Sequence, residues 1–336
     1  MIKPLAVVTG GAGFIGSHMV DLLADRGYRV NIVDCLVGGR RENLQHHEAN
    51  TDIQLFETDI RDLAWENGNG EDIFAEATYV FHFAGIGDIV PSIERPLDYI
   101  SVNAQGTVNV LECARRAGVR KLVYAASSSC YGVAAVPTRE DHPIRPQYPY
   151  ALSKYQGEQS AFHWNQVYNL PVNSVRIFNA YGTRVRTSGA YGAVFGVFLR
   201  QKLAGQPFTL VGDGTQRRDF VYVTDVARAF LAAAETQHVG RVFNLGTGNP
   251  QSVNRLVELL QGPVVNLPKR PGEPDCTWAN IKRITEDLGW EPQVAFEEGV
   301  SRMLANIEYW RDAPLWDTAS IADATATWFQ HLNTVE

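Results

Sequence analysis

The chain has few cysteines, no long apolar run and no excess of positive charge, and each shortage removes a class of function. Its four cysteines, Cys35, Cys113, Cys130 and Cys276, are scattered through 336 residues without a CxxC pair. Such spacing predicts neither a disulfide framework nor a zinc site, but free, mostly buried thiols in a reducing cytoplasm. No stretch approaches the roughly 20 apolar residues of a membrane span. Met1-Ile2-Lys3-Pro4 runs straight into a strand-like stretch, without the basic region and apolar core of a secretory leader. A net charge of −7 argues against nonspecific nucleic-acid binding, which needs a basic face. It leaves room for a phosphate ligand, because a few placed arginines bind phosphate on an acidic protein. Repeats and low-complexity segments are lacking too, and a chain with 20% charged residues is not expected to carry a long disordered tail.

What is present is enough apolar material, 45% of the residues, for one large core or two smaller ones. Short β-branched runs at residues 5–8, 29–33, 53–56, 79–83, 121–125 and 172–177 read as strands. Helical patterns lie between several of them, at 15–26, 106–117 and 153–168. That alternation predicts an α/β fold, a doubly wound parallel sheet covered on both faces by right-handed crossovers. After Phe178 glycine and proline become frequent and the rhythm breaks. Val221-Tyr222-Val223 and Val242-Phe243-Asn244-Leu245 read as later strands returning to the main sheet. The expected organisation is a nucleotide-binding domain of residues 1–177 plus about 219–248, and a smaller discontinuous domain of 178–218 plus about 249–336.

Directly after the first strand stands Thr9-Gly10-Gly11-Ala12-Gly13-Phe14-Ile15-Gly16. Glycines there allow a tight turn and let backbone N–H groups approach a pyrophosphate at a helix N-terminus. The second strand ends at Asp34, a carboxylate that can accept both ribose hydroxyls of NAD and would repel a 2′-phosphate. Arg40 and Arg41 follow closely and are able to accommodate that phosphate, which leaves NADP as the alternative. Asp59-Ile60, at the end of the third strand, is placed to hydrogen-bond and cover an adenine.

Tyr150-Ala151-Leu152-Ser153-Lys154 sets tyrosine and lysine one helical turn apart on one face, behind a Pro149 suited to a helix start. Positive charge from the lysine and from an oxidised nicotinamide favours phenolate, and such a tyrosine can take a proton from a sugar hydroxyl as hydride leaves the same carbon. Ser127-Ser128-Ser129 follows the strand 121–125, at the sheet edge where doubly wound folds meet ligands. Ser127 is placed to bridge the reacting hydroxyl and the Tyr150 oxygen. Taken singly, a serine run is more often a turn or helix cap, and a Tyr-x-x-x-Lys pair is common on amphipathic helices.

Together these segments resemble the nucleotide-sugar epimerases and dehydratases of the extended short-chain dehydrogenase/reductase family. Further matching blocks are His82-Phe83-Ala84-Gly85, Asn103-Ala104-Gln105-Gly106-Thr107, Arg176 to Gly182, Gly212 to Phe220, Arg270-Pro271-Gly272-Glu273 and Leu288-Gly289-Trp290. The resemblance covers nearly the whole chain and implies a Rossmann sheet with a smaller substrate domain. It also implies catalysis by Ser127, Tyr150 and Lys154, counted from the Tyr131-Gly132 pair, with Lys154 holding the nicotinamide ribose. The NAD site would draw on Gly10, Gly13, Phe14, Ile15, Gly16, Asp34, Asp59, Ile60, Phe83, Ala84, Gly85, Asn103, Tyr150 and Lys154. The sugar nucleotide would meet Gly87, Asp88, Ser128, Ser129, Asn179, Arg186, Val194, Arg218, Arg270 and Thr277. Arg218 and Arg270 would clamp the diphosphate, since each guanidinium can bind bidentately.

Dehydrating and decarboxylating members carry acidic residues just after the Ser127 position, where this chain has Ser128 and Ser129. The resemblance therefore points to a UDP-sugar 4-epimerase. Thr277, at a gate position seven residues after Arg270, is small enough to admit an N-acetyl group. The stretch from Asn179 to Val194 is similar to 4-epimerases of UDP-N-acetylhexosamines. Arg186 stands where uronate 4-epimerases carry an arginine, yet Asp88 is placed to pair with it and leave a neutral hexose as substrate. The alternatives are a 4,6-dehydratase, decarboxylase, 4-keto reductase, 2- or 3,5-epimerase, or a non-catalytic NAD-binding regulator. The resemblance further implies a homodimer through the helices ending at Ala117 and starting at Tyr150.

Overall fold

The computed structural model describes residues 3–66, 68–187 and 194–332. Its first half alternates strand and helix: β1 (Leu5–Thr9), α1 (Phe14–Asp25), β2 (Arg29–Asp34), β3 (Ile53–Glu57), α2 (Gly70–Phe74) and β4 (Ala77–His82). Then come α3 (Ile89–Glu94), α4 (Pro96–Ile100), α5 (Thr107–Ala117), β5 (Lys121–Ser127), α6 (Pro149–Tyr168) and β6 (Val172–Ile177). The second half holds β7 (Asn179–Tyr181), α7 (Val194–Leu203), β8 (Phe208–Val211), β9 (Arg217–Arg218), β10 (Phe220–Tyr222), α8 (Val223–Glu235) and β11 (Arg241–Leu245). Last are β12 (Gln251–Ser252), α9 (Val253–Leu260), β13 (Val264–Leu267), α10 (Lys282–Leu288), α11 (Phe296–Ala305) and α12 (Thr318–His331).

Seven parallel strands form the central sheet in the order β11-β6-β5-β4-β1-β2-β3, the expected Rossmann arrangement. The order reverses between β1 and β4, and the crevice beyond their C-terminal ends is where such sheets receive a ligand. Side chains alternate across the sheet. Val8, Ile32, Phe81, Val123 and Phe243 pack with α1 and α8, while Val7, Val33, Val80, Leu122 and Tyr124 pack with α5 and α6. A third apolar cluster gathers Phe195, Phe198, Phe208, Phe220, Phe296 and Trp310 from the second half of the chain. Ile284 and Trp290 pack instead with the α1/α8 face of the sheet.

One expected strand does not join the sheet. Residues 242–245 do return beside β6 as part of β11, and the Phe178 N–H donates to the Leu245 carbonyl at 2.9 Å. That edge being taken, β10 pairs with β7 in a separate two-stranded ribbon, and Val223 opens α8 rather than extending a strand. The four cysteines are free, but only Cys113 and Cys130 are buried; Cys35 is exposed and Cys276 intermediate. Among the described residues no helix is long and apolar enough to cross a membrane.

A buried ion pair locks α6 to the sheet. Glu158, fully buried, receives Arg176 Nε at 3.1 Å on each oxygen, Arg176 Nη2 at 2.9 Å and the Ser174 hydroxyl at 2.8 Å. Arg176 also reaches the Tyr131 hydroxyl at 2.8 Å, so the turn after β5 joins the same network. Removing one partner would strand the other charge in low dielectric. Glu158→Ala is expected to lower unfolding free energy by about 3–5 kcal/mol, read from urea denaturation, with Glu158→Gln falling between it and the wild type.

Candidate active site

The turn after β1 can exist only with glycine. Gly10 has φ +70°, and a Cβ there would lie 2.7 Å from the Ala84 nitrogen, while one on Gly16 would lie 2.1 Å from the Gly10 carbonyl oxygen. The loop opens α1, whose first turn holds no acidic residue and whose N-cap, Gly13, makes no side-chain hydrogen bond. Backbone N–H groups of Phe14 and Ile15 are thus unshielded at the positive end of a twelve-residue helix, which fits a dinucleotide pyrophosphate. Asp34 accepts the Ala12 N–H at 3.0 Å and the Leu36 N–H at 2.8 Å, tying the loop to the end of β2. Burial raises the pKa of this carboxyl, and the two N–H donors oppose that.

Two neighbours once open as phosphate partners are engaged elsewhere. Arg41 pairs with Glu57, and Arg40 donates to Thr187 and lies 5.5 Å from the Tyr309 ring centroid. Asp59 caps the short turn that starts with Ile60 and accepts three bonds from Arg61, which hold its carboxyl below the usual range. Ile60 itself is buried, with its side chain under Gly106. Phe83 and Ala84 hydrogen-bond Thr9, bringing β4 over the glycine loop. His82 sits between the Thr9 and Thr107 hydroxyls at 2.6 and 2.9 Å; burial, then the Lys154 charge, pushes its pKa down to about 3. It is a neutral structural link. Asn103 bonds both backbone groups of Ile86 and the Ser153 hydroxyl, shaping the strip at Gly85 beside Lys154.

Tyr150, Lys154 and Ser127 are brought together at the end of β5 and the start of α6. Pro149 occupies the first turn of α6, as the sequence suggested. The Ser127 hydroxyl lies 2.8 Å from the Ser129 hydroxyl and close enough to the Tyr150 phenol to favour its ionised form. The Tyr150 pKa is raised, chiefly by burial; the Ser127 hydroxyl lowers it and the Asp88 carboxylate raises it further. One turn on from Tyr150, the Lys154 ammonium lies beside Gly85 and 4.7 Å from the Tyr124 ring centroid. Burial lowers the Lys154 pKa to about 8, with Glu158 opposing.

A cavity of about 340 Å³ is lined by none of Ser127, Tyr150 and Lys154 but by Asp88, whose charge acts on the Tyr150 phenol. Asp88, Asn179, Val194, Arg218 and Arg270, all expected at the substrate, line it. Thr277 stands behind, its hydroxyl donating to Asn179 Oδ1 at 2.7 Å. The two arginines converge on one carboxylate, Glu273, at 2.7 Å from Arg218 and 3.7 Å from Arg270. Asp88 and Arg186 approach to 3.9 Å. Gly87 offers its carbonyl to the Tyr99 hydroxyl, and Ser128 opens the short helical turn after β5. Residues 189–193 of the expected substrate stretch lie outside the described residues.

Sequence reasoning missed the aromatic frame. Tyr148 stacks on Tyr150 with centroids 6.4 Å apart and planes 7° apart, and Tyr99 meets Tyr150 edge-on at 6.4 Å. The Tyr148-Pro149-Tyr150 spacing was a usable signal for the first; Tyr99 and the cavity-lining Trp328 carried none. Elsewhere, Asp21 Oδ1 lies 2.7 and 2.8 Å from His46 and His47, a spacing a metal ion would tolerate, but Arg184 already holds its other oxygen at 2.8 Å.

Residues 6–246 match the NAD dependent epimerase/dehydratase family. UDP-glucose 4-epimerase of Mycolicibacterium smegmatis is 36% identical over 91% of this chain and 98% of its own. UDP-glucuronic acid decarboxylase 1 of Arabidopsis thaliana is 32% identical over 89% of this chain and 69% of its own. The solved UDP-glucuronic acid 4-epimerase of Bacillus cereus, in complex with UDP-glucuronic acid and NAD, superposes with a TM-score of 0.83 at 29% identity, over 91% of this chain and 99% of that one. The chain belongs to the NAD dependent epimerase/dehydratase family, and its cofactor is NAD.

Proposed function

We propose that the protein is a 4-epimerase of a UDP-sugar. The observation that carries this reading is Tyr150, beside Ser127 and one turn from Lys154, and close to Asp88, which lines a cavity together with two arginines. Bound NAD supplies hydride exchange with C4 of the sugar. Tyr150 takes the C4 hydroxyl proton through or beside Ser127 and later returns it to the other face's alkoxide, after the 4-keto sugar has turned over. Burial raises the pKa of its phenol, and positive charge from Lys154 and from a bound nicotinamide would favour phenolate against it. Lys154 holds the nicotinamide ribose, and Asp34 the adenosine ribose. Arg218 and Arg270 exchange Glu273 for the diphosphate. Asn179 and Thr277 border the sugar, while Ser128 and Ser129 leave the C5 and C6 protons without an acid or base. The Asp88–Arg186 pair supports a neutral hexose over a uronate.

One observation favours a second reading: Asp88 is a cavity-lining carboxylate close enough to raise the Tyr150 pKa, and burial raises its own. Such a group is equipped to move a carbon-bound proton, as a dehydratase or 3,5-epimerase requires. A homodimer through α5 and α6 belongs to the same proposal, and Leu97 and Leu152, exposed on α4 and α6, are apolar enough to be covered there. The free thiols support a cytoplasmic setting. We place the division between cofactor and substrate domains at 177/178, with 219–248 on the cofactor side.

Proton NMR of the purified protein with UDP-glucose, UDP-N-acetylglucosamine and UDP-glucuronate in D2O, without added cofactor, tests the reaction. The 4-epimer is expected to appear without deuterium; deuterium at C3 or C5, loss of water or carbon dioxide, or dependence on added NADPH would sink the proposal. Tyr150→Phe is expected to lower turnover by two to four orders of magnitude, roughly the worth of a general base, with UDP affinity kept. Lys154 generates a pH prediction. The unfolded chain keeps this proton up to about pH 10.5 but the folded chain only to about 8, so folding gains stability as pH rises between them. NAD-free Lys154→Met should therefore melt above the wild type at pH 7, with the gap closing between pH 8 and 10.5.

A further inference from the structure

The C-terminal helix α12 begins on a capping box between Asp317 and Ser320 and buries Ile321, Thr325 and Trp328, spaced on one face. Two of these, Thr325 and Trp328, line the cavity. Trp328 contacts groups from two other parts of the chain. Its indole N–H donates to the Pro271 carbonyl at 2.8 Å, and the Arg270 guanidinium lies 5.8 Å from its ring centroid. On its other side it meets Tyr148 at 6.4 Å, the ring that stacks on Tyr150. The helix also packs on α3, where the Thr327 hydroxyl donates to Glu94 at 3.1 Å. Asp88, Ile89 and Val90 at the start of α3 form the facing cavity wall.

We infer that Trp328 is a substrate-positioning residue, holding Arg270 and the loop at Pro271 in place to receive the diphosphate of a nucleotide sugar, so that α12 is the closing wall of the substrate site. The inference rests on the reading of Arg270 as a diphosphate ligand. Its physics is direct. Arg270 must leave Glu273 for the ligand, and a guanidinium without a fixed platform would sample several orientations when it does. An aromatic face keeps its plane while leaving its N–H groups free for phosphate oxygens. The Trp328 N–H bond to Pro271 fixes the backbone one residue away.

Calorimetric titration of the NAD-loaded protein with UDP tests this without turnover. Trp328→Ala and Trp328→Met are expected to weaken UDP binding about tenfold, the scale of a partly desolvated cation–π contact, with NAD content unchanged. Trp328→Phe should restore affinity to within about threefold. Trp328→Met keeps much of the apolar volume and carries the test if Trp328→Ala fails to fold. Adding Trp328→Met to Arg270→Ala should weaken binding no further than Arg270→Ala alone. Wild-type affinity in Trp328→Met, or full additivity with Arg270→Ala, would overturn the inference, as would a wild type that does not bind UDP. A wild type that binds UDP, with the affinity pattern above, but does not epimerise would refute the 4-epimerase reading and leave this one standing.

Discussion

The Glu158–Arg176 pair is the contact on which the rest of this site depends. It buries two opposite charges between α6 and β6, and charges so placed hold their partners within narrow geometry because any slip leaves one unpaired. One turn before Glu158 on α6 is Lys154, and one turn before that is Tyr150, so the pair sets both their height over the sheet and their rotation. Through Tyr131, whose hydroxyl also reaches Asn244 at 2.7 Å, it fixes the turn that carries Ser127. Tyr150, Lys154 and Ser127 are thus held by an interaction outside the cavity, and their own side chains are not used to hold the fold there.

Electrostatics around Tyr150 are unfavourable to phenolate in the protein alone. Burial and the Asp88 carboxylate both favour the neutral phenol, and the Ser127 hydroxyl opposes them. Lys154 is buried at a lowered pKa, a cost that a ribose hydroxyl or cofactor phosphate can offset by hydrogen bonding to the ammonium. The cavity shows the same pattern on the other side, where Arg218 and Arg270 share Glu273. Each of these charged groups therefore rests on an internal partner or in an unfavourable environment.

Much of this was legible in the chain because it depends on local spacing. Gly10 and Gly16 mark a turn that no other residue tolerates, Asp34 ends the strand that follows, and Tyr150 and Lys154 lie on one helix by their four-residue separation. β-branched runs between helical periods implied a parallel sheet, and all six early strands joined it. The reading of residues 221–223 failed because strand propensity says nothing about which edge is free, and β11 had taken the edge beside β6.

Sequence by itself determined the fold class, the dinucleotide turn and the placing of Tyr150 and Lys154 on one helix, since short-range backbone sterics and helical phase dictate them. Only the tertiary structure decided which charges meet. It set the Lys154 ammonium beside Gly85 and the Tyr124 ring, set Glu273 between two arginines 52 residues apart in sequence, joined Asp88 to Arg186, and brought Trp328 from the last helix to Arg270 and Tyr148. Those pairings arise from elements packed across long sequence separations, and no local pattern encodes the orientation of a side chain toward a partner that far away.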